Sequence, residues 1–177
     1  QVSSRNTALA LDFAAIAEGA SAEQVSRLLR DKGVRHALIT MGGDVVALGD
    51  GDGQPWRVDL VDPFGGVLGN VELRDGEGFF TSGLYNKFRR APNGGRWGNV
   101  LNPRTGMPAQ GTAAVAVLHP DAVLADAAST ALMAGGPASF AALASRMKLG
   151  CALLLTEENE LLVTTGMQAR FKLLRHP

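Results

Sequence analysis

The sequence predicts an α+β fold in which a mostly antiparallel sheet packs against helices. Three observations carry that expectation. A helical stretch near the start gives way to a long run of short apolar segments parted by glycine-rich turns. Two further helical stretches follow residue 120, and a last pair of apolar segments closes the chain as a hairpin. Helices segregated from a run of strands, instead of alternating with them, point to α+β and away from a parallel α/β sheet.

Element by element, Ser21-Ala22-Glu23-Gln24 has the form of a capping box, the Ser21 hydroxyl covering a free amide and Gln24 reaching back. Val25, Leu28 and Leu29 recur at helical spacing, and Gly33 supplies a stop. Ala37-Leu38-Ile39-Thr40-Met41 suits a buried strand that ends at Gly42-Gly43, and Val45-Val46-Ala47-Leu48 resumes it. Asp50-Gly51-Asp52-Gly53 is a turn by composition, and Pro55-Trp56-Arg57-Val58-Asp59-Leu60 alternates like a strand beyond it. Further strands are expected over residues 66–71, 78–81, 113–118, 151–155 and 161–164, with helices over 121–133 and 137–147. No G-x-G-x-x-G follows a strand, which argues against a Rossmann dinucleotide site.

Composition narrows the function classes. The 177 residues are the size of one domain, 1–177, large enough to bury a core without staples. Seventeen basic and seventeen acidic residues balance, so no overall field recruits nucleic acid or an anionic membrane. Nothing approaches the ~18 consecutive apolar residues of a membrane span. Gln1-Val2-Ser3-Ser4-Arg5 opens in mid-pattern without a leader-like run, so these residues are expected to follow a processing or boundary point. The single cysteine, Cys151, lies in an apolar run and reads as a small buried hydrophobe. His36, His119 and His176 lack the mutual spacing of a zinc site and are expected at the surface or at strand ends.

Four segments hold polar groups where chemistry could occur. In Leu11-Asp12-Phe13-Ala14-Ala15-Ile16-Ala17-Glu18-Gly19, two carboxylates flank alanines small enough for close approach to the backbone, although solvated acids beside a helix start would read the same way. In Leu124-Ala125-Asp126-Ala127-Ala128-Ser129-Thr130-Ala131, Asp126 and Thr130 project from one face of a helix. A carboxylate and a hydroxyl are hard oxygen ligands of the kind magnesium uses beside waters and phosphates, and they are also ordinary helix-surface residues. Phe79-Phe80-Thr81-Ser82-Gly83-Leu84-Tyr85 and Asn99-Val100-Leu101-Asn102-Pro103-Arg104-Thr105-Gly106 each read, taken singly, as polar connections.

In order, these segments resemble the ApbE-like FAD:protein FMN transferases. That family carries an L-D-L-G-G-I-A-K-G-like element, an L-G-G element after a strand and a P-W-R-V strand. A T-S-G-x-Y element, an I-D-P-x-T-G-x-P element and a helical A-D-A-x-x-T element follow. Here the counterparts are residues 11–19, 41–43, 55–58, 81–85, 101–108 and 125–130. Six matches in the family's order, spread over most of the chain, are more specific than any one alone.

The resemblance implies an ApbE-like fold lacking its N-terminal region, since only eleven residues precede Asp12. It implies Mg2+ as cofactor and FAD as substrate. The FMN half would pass to a threonine or serine of an acceptor flavoprotein, with release of AMP. By the same resemblance Asp126, Thr130 and the backbone carbonyl of Ala15 hold the metal, while Asp12, Glu18 and Leu101 contact FAD. The implied location is the periplasm or the outer face of a bacterial membrane. This chain departs from the family pattern with Ala14-Ala15 in place of a glycine pair and Glu18 where lysine is frequent. It also has Asn99 and Asn102 in place of a histidine and an aspartate. Two alternatives follow from those departures: an FAD pyrophosphatase yielding FMN and AMP, or a non-catalytic module that binds flavin or protein.

Overall fold

The computed structural model describes residues 3–83, 88–90 and 96–174. The first helix, α1 (Ala14–Asp31), begins well before the expected capping box. Its start signal is Asp12, whose Oδ1 accepts the Ala14 N–H at 2.8 Å and so covers an amide that a helix N-terminus leaves free. Ser21 is exposed in mid-helix, and the capping box does not form. The stop at Gly33 is as expected: its φ of +81° turns the chain out of the helix, and Val34 N–H closes back on Leu29 O.

The strands are β1 (Ala37–Met41), β2 (Asp44–Leu48), β3 (Trp56–Val61), β4 (Val67–Leu73), β5 (Gly78–Gly83), β6 (Phe88–Arg90), β7 (Arg96–Gly98) and β8 (Thr112–His119). Then come α2 (Ala122–Gly135), α3 (Phe140–Arg146), β9 (Cys151–Thr156), β10 (Leu161–Val163), α4 (Thr165–Arg170) and β11 (Phe171–Leu173). Six strands pair in the order β1-β2-β5-β8-β9-β10, every neighbour antiparallel. A smaller sheet, β11-β4-β3, is antiparallel too, and β6 and β7 form a separate hairpin.

Strand alternation sends side chains of the large sheet into two cores. Val46, Phe80, Val115, Val117 and Leu154 face a layer built from α1, α2 and α3. Their neighbours Val45, Phe79, Ala116, Leu153 and Leu155 face the small sheet and Met167 of α4. Both faces are therefore covered, which explains why these antiparallel strands read as unbroken apolar runs in the sequence. Phe79 and Phe80, adjacent in sequence and both fully buried, anchor opposite cores.

Several sequence expectations are refined. Asp121 stands outside α2 as its cap, Oδ1 accepting the Leu124 N–H at 2.8 Å. The single helix expected over 137–147 is instead a 3-10 turn, Pro137–Ser139, followed by the shorter α3. Cys151 is half-buried at the start of β9, and burial pushes its thiol up, away from reactivity. His36 precedes β1 and His119 ends β8, both at strand ends, while His176 lies outside the described residues.

The hairpin of β6 and β7 and the closing α4 and β11 have no counterpart in the sequence reading. α4 and β11 tie the small sheet down. Arg170, at the end of α4, places Nη1 3.1 Å and Nη2 2.8 Å from the two carboxylate oxygens of Glu77, and Nη2 also donates to Glu72 O at 2.6 Å. Burial alone would raise the Glu77 pKa. The Arg170 guanidinium and the Arg74 N–H outweigh it and hold the carboxyl below its usual range. Both side chains are mostly shielded, at 20% and 16% exposure, so removing one partner strands the other. Arg170→Met should lower the unfolding free energy by about 3 kcal/mol in urea titrations. A loss below about 0.5 kcal/mol, the level of an ordinary surface change, would show that the pair contributes little.

Candidate functional site

The helical layer holds a polar cluster where the first turns of α1 cross the middle of α2. The crossing is close because Gly19 faces α2: a Cβ placed there would collide with the Ala122 carbonyl oxygen and sit 2.9 Å from Asp126 Cβ. The bare backbone lets the Gly19 N–H donate to Asp126 Oδ2 at 2.8 Å, although Asp126 is only 6% exposed. The sequence reading placed the close approach at Ala14, Ala15 and Ala17. Those three are exposed and so open to approach from outside the chain, while the positions packed within it are Gly19 and Ala22.

Two more carboxylates join from neighbouring elements. Asp44 opens β2 on the same face as Val46, is 5% exposed, and its Oδ1 accepts the Thr81 N–H of β5 at 2.7 Å. Glu18 of α1 turns its carboxyl group onto Gly42, whose φ of +60° and missing Cβ leave the space that the group occupies. There it shares a hydrogen bond with Asp44. Burial, then the hydrogen bond and charge of Glu18 and the charge of Asp126, push Asp44 up to about 8 against the opposing pull of the Thr81 N–H. Asp126 is raised as well, first by burial and then by Glu18, with the Gly19 and Glu18 amides opposing.

Hydroxyl groups complete the cluster. Ser82, near the end of β5 and on the same face as Phe80, reaches α2: its Oγ is 2.8 Å from Ser129 Oγ and 3.5 Å from Thr130 Oγ1. Ser129 Oγ donates to the Asp126 carbonyl at 2.9 Å. Ala15 lies one helical turn before Gly19, so its carbonyl faces the N–H that Asp126 accepts. Asp126 and Glu18 therefore lie at the crossing of the two helices, with Thr130 one turn further along α2 and Ala15 one turn before Gly19 on α1.

The other sequence candidates lie differently. The Asp12 carboxylate turns onto its own chain at Ala14 N and is exposed. Leu101 is 57% exposed in the turn before β8, where Asn102 holds the loop together by accepting Arg104 N–H on its side chain and bonding Gly106 and Met107 through its backbone. Leu84 and Tyr85 of the T-S-G-x-Y element fall outside the described residues. The sequence reading missed Asp44, Gly42 and Ser82 as parts of the cluster. An aspartate leading an otherwise apolar strand straight after two glycines was the available signal for Asp44.

The donor set suits a hard divalent cation. All the groups are oxygens, from a carboxylate, a hydroxyl and a carbonyl, and none is a thiolate or imidazole. Among the described residues the charged groups acting on Asp44 and Asp126 are acids, so the charge the cluster gains on ionising is negative and a cation would offset it. Among the described residues no three His, Cys, Asp or Glu side chains are placed to hold an ion by themselves. Backbone, hydroxyl and substrate oxygens would have to complete the coordination, as is usual for magnesium.

A helical layer on an antiparallel sheet, with a buried aspartate and hydroxyls at a helix crossing, defines the class of fold and site to which the chain belongs. The family model of the ApbE family matches residues 1–155, and the chain belongs to that family. It is similar to the FAD:protein FMN transferase of Rhodobacter capsulatus, 38% identical over 173 residues that make up 97% of this chain and 33% of that protein. The FAD:protein FMN transferase of Escherichia coli K12 is 32% identical over 93% of this chain and 47% of its own length. Among solved structures, the apo flavinyl transferase ApbE of Pseudomonas stutzeri superposes with a TM-score of 0.77 at 34% identity, covering 91% of this chain and 51% of that one. The ApbE protein of Thermotoga maritima gives 0.83 at 25% identity, over 90% and 53%. The chain thus spans between a third and about half of the length of these relatives.

Proposed function

We propose that this chain is the metal- and pyrophosphate-gripping part of an FAD:protein FMN transferase, moving FMN from FAD to a threonine or serine of an acceptor flavoprotein and releasing AMP. The observation that carries this reading is the buried Asp126, fixed by the Gly19 amide one helical turn beyond Ala15, and followed on its own helix by Thr130. Family membership supports the substrate and the reaction class. In this reading Asp126, Thr130 and the Ala15 carbonyl hold Mg2+, which when bound supplies positive charge against a diphosphate. Asp12, Glu18 and Leu101 lie on the FAD side. Glu18 acts there from a position already packed against Gly42 and Asp44, while Leu101 offers an exposed apolar surface on its turn. The periplasm or the outer face of a bacterial membrane is the proposed place of action, by the same resemblance.

Incubating the protein with FAD, Mg2+ and an acceptor flavoprotein tests the reading. Covalent FMN on the acceptor, with AMP released in equal amount, is the expected result. Free FMN and AMP without covalent product would replace transfer by hydrolysis. No turnover, with FAD or acceptor still bound, would make the chain a binding module.

A further inference from the structure

We infer that Ser82 is a positioning residue for Thr130: it receives the Thr130 hydroxyl proton and so leaves the oxygen lone pairs of Thr130 turned towards the cation site. The inference rests on the metal reading proposed above and adds a residue and a direction to it.

The argument is a count of protons. A serine or threonine hydroxyl carries one proton and can accept through its lone pairs. Ser129 Oγ spends its proton on the Asp126 carbonyl, which can only accept, at 2.9 Å. In the 2.8 Å contact between Ser82 Oγ and Ser129 Oγ, Ser82 is therefore the donor. With its proton committed there, Ser82 can meet Thr130 only as an acceptor. The 3.5 Å separation from Thr130 Oγ1 lies at the outer limit of a hydrogen bond, and with the Ser82 proton committed to Ser129 the donor there is Thr130. The chain runs one way, from Thr130 to Ser82 to Ser129 to the Asp126 carbonyl, and returns to the helix turn that carries the Asp126 carboxylate.

The placement is built by the fold. Ser82 follows Phe80 by two residues on β5, so both face α2. Ser129 is 2% exposed, so its hydroxyl bonds are shielded from competing water. A cation needs oxygen lone pairs, and a Thr130 hydroxyl free to rotate would offer its proton to the site part of the time. Residues that orient a metal ligand through hydrogen bonds typically contribute 10–100-fold to metal affinity. Ser129 acts at one remove: without it, the Ser82 proton loses its acceptor and can swing to Thr130 Oγ1, competing with the ion for the same lone pairs.

The test uses Mn2+ as probe, titrated into the full chain and followed by the electron paramagnetic resonance of the free ion, with thermal melts confirming folding. Ser82→Ala should weaken Mn2+ binding about 10-fold or more. Ser82→Thr, which keeps the hydroxyl, should restore affinity to within about threefold. Ser129→Ala should also weaken binding, and the Ser82→Ala/Ser129→Ala double variant should be no weaker than Ser82→Ala alone, because the two act through one chain. Asp126→Asn separates this inference from the reading beneath it. If Asp126→Asn abolishes binding while Ser82→Ala and Ser129→Ala bind like wild type, Ser82 does not position Thr130 although the metal site stands. If Asp126→Asn binds like wild type, the metal reading falls and this inference with it.

Discussion

Gly19→Ala should destabilise the protein by about 2–4 kcal/mol, the reverse of what the same change does in an ordinary helix, and on the proposed metal reading it should also abolish Mn2+ binding. On an exposed helix face, replacing glycine with alanine stabilises by up to ~1 kcal/mol through propensity. Two costs oppose that gain here. The new methyl would meet the Ala122 backbone and the Asp126 Cβ at 2.9 Å, and overpacking of a close helix pair costs ~1–3 kcal/mol. Backbone atoms cannot step aside as a flexible side chain can, so α1 must move off α2. That movement lengthens the 2.8 Å bond from the Gly19 amide to Asp126 and leaves a buried carboxylate short of a donor, which costs ~1.5–3 kcal/mol for a charged group. The packing terms outweigh the propensity term. Urea denaturation reads the stability and Mn2+ titration reads the site. An alanine variant as stable as wild type, with its cation affinity intact, would show that the helix crossing has slack and that Gly19 is dispensable.

The same residue shows where sequence reasoning reached and where it stopped. The order of helices and strands was legible because the apolar runs are short and well separated: 37–41, 45–48, 113–118 and 151–155 each lie in a strand. The start of α1 was misplaced because Ser21-Ala22-Glu23-Gln24 has the form of a capping box, which left Gly19 outside the expected helix. Its purpose is close approach to another helix, which lies 107 residues away along the chain and leaves no local trace. The pairing of β11 with β4 is likewise a long-range choice, made by Phe171 seating opposite Val71. That Asp126 and Thr130 share one helix face was legible from their spacing of four, while the ligand role proposed for them came from the family resemblance. Asp44 and Ser82 were not, because only the register of β2 against β5 and the layer of helices above them bring those strand residues to the same place.

The acids at this crossing set an expected pH dependence, and its sign follows from Asp44. In the folded protein Asp44 is pushed up to about 8, chiefly by burial and then by Glu18, whereas in the unfolded chain it titrates near its ordinary value of ~3.9. Between those two values the folded state holds a proton that the unfolded state has released, so raising the pH favours unfolding. The stabilising contribution is complete below about pH 4 and is lost progressively as the pH rises through 8. Without divalent cation, the melting temperature should therefore fall between pH 5.5 and 8.5, by roughly 5–10 °C if the linkage contributes a few kcal/mol. Asp44→Asn keeps an oxygen for the Thr81 N–H and supplies N–H donors towards Glu18 without a titrating proton, so its melting temperature should change much less over the same range. Added Mg2+ should stabilise the wild-type protein more at pH 8.5 than at 5.5, because the cation favours ionised acids and competes with the proton for the cluster. A wild-type melting temperature that climbs over this interval, or an Asp44→Asn variant with the same slope as wild type, would mean that the buried proton resides elsewhere than on Asp44.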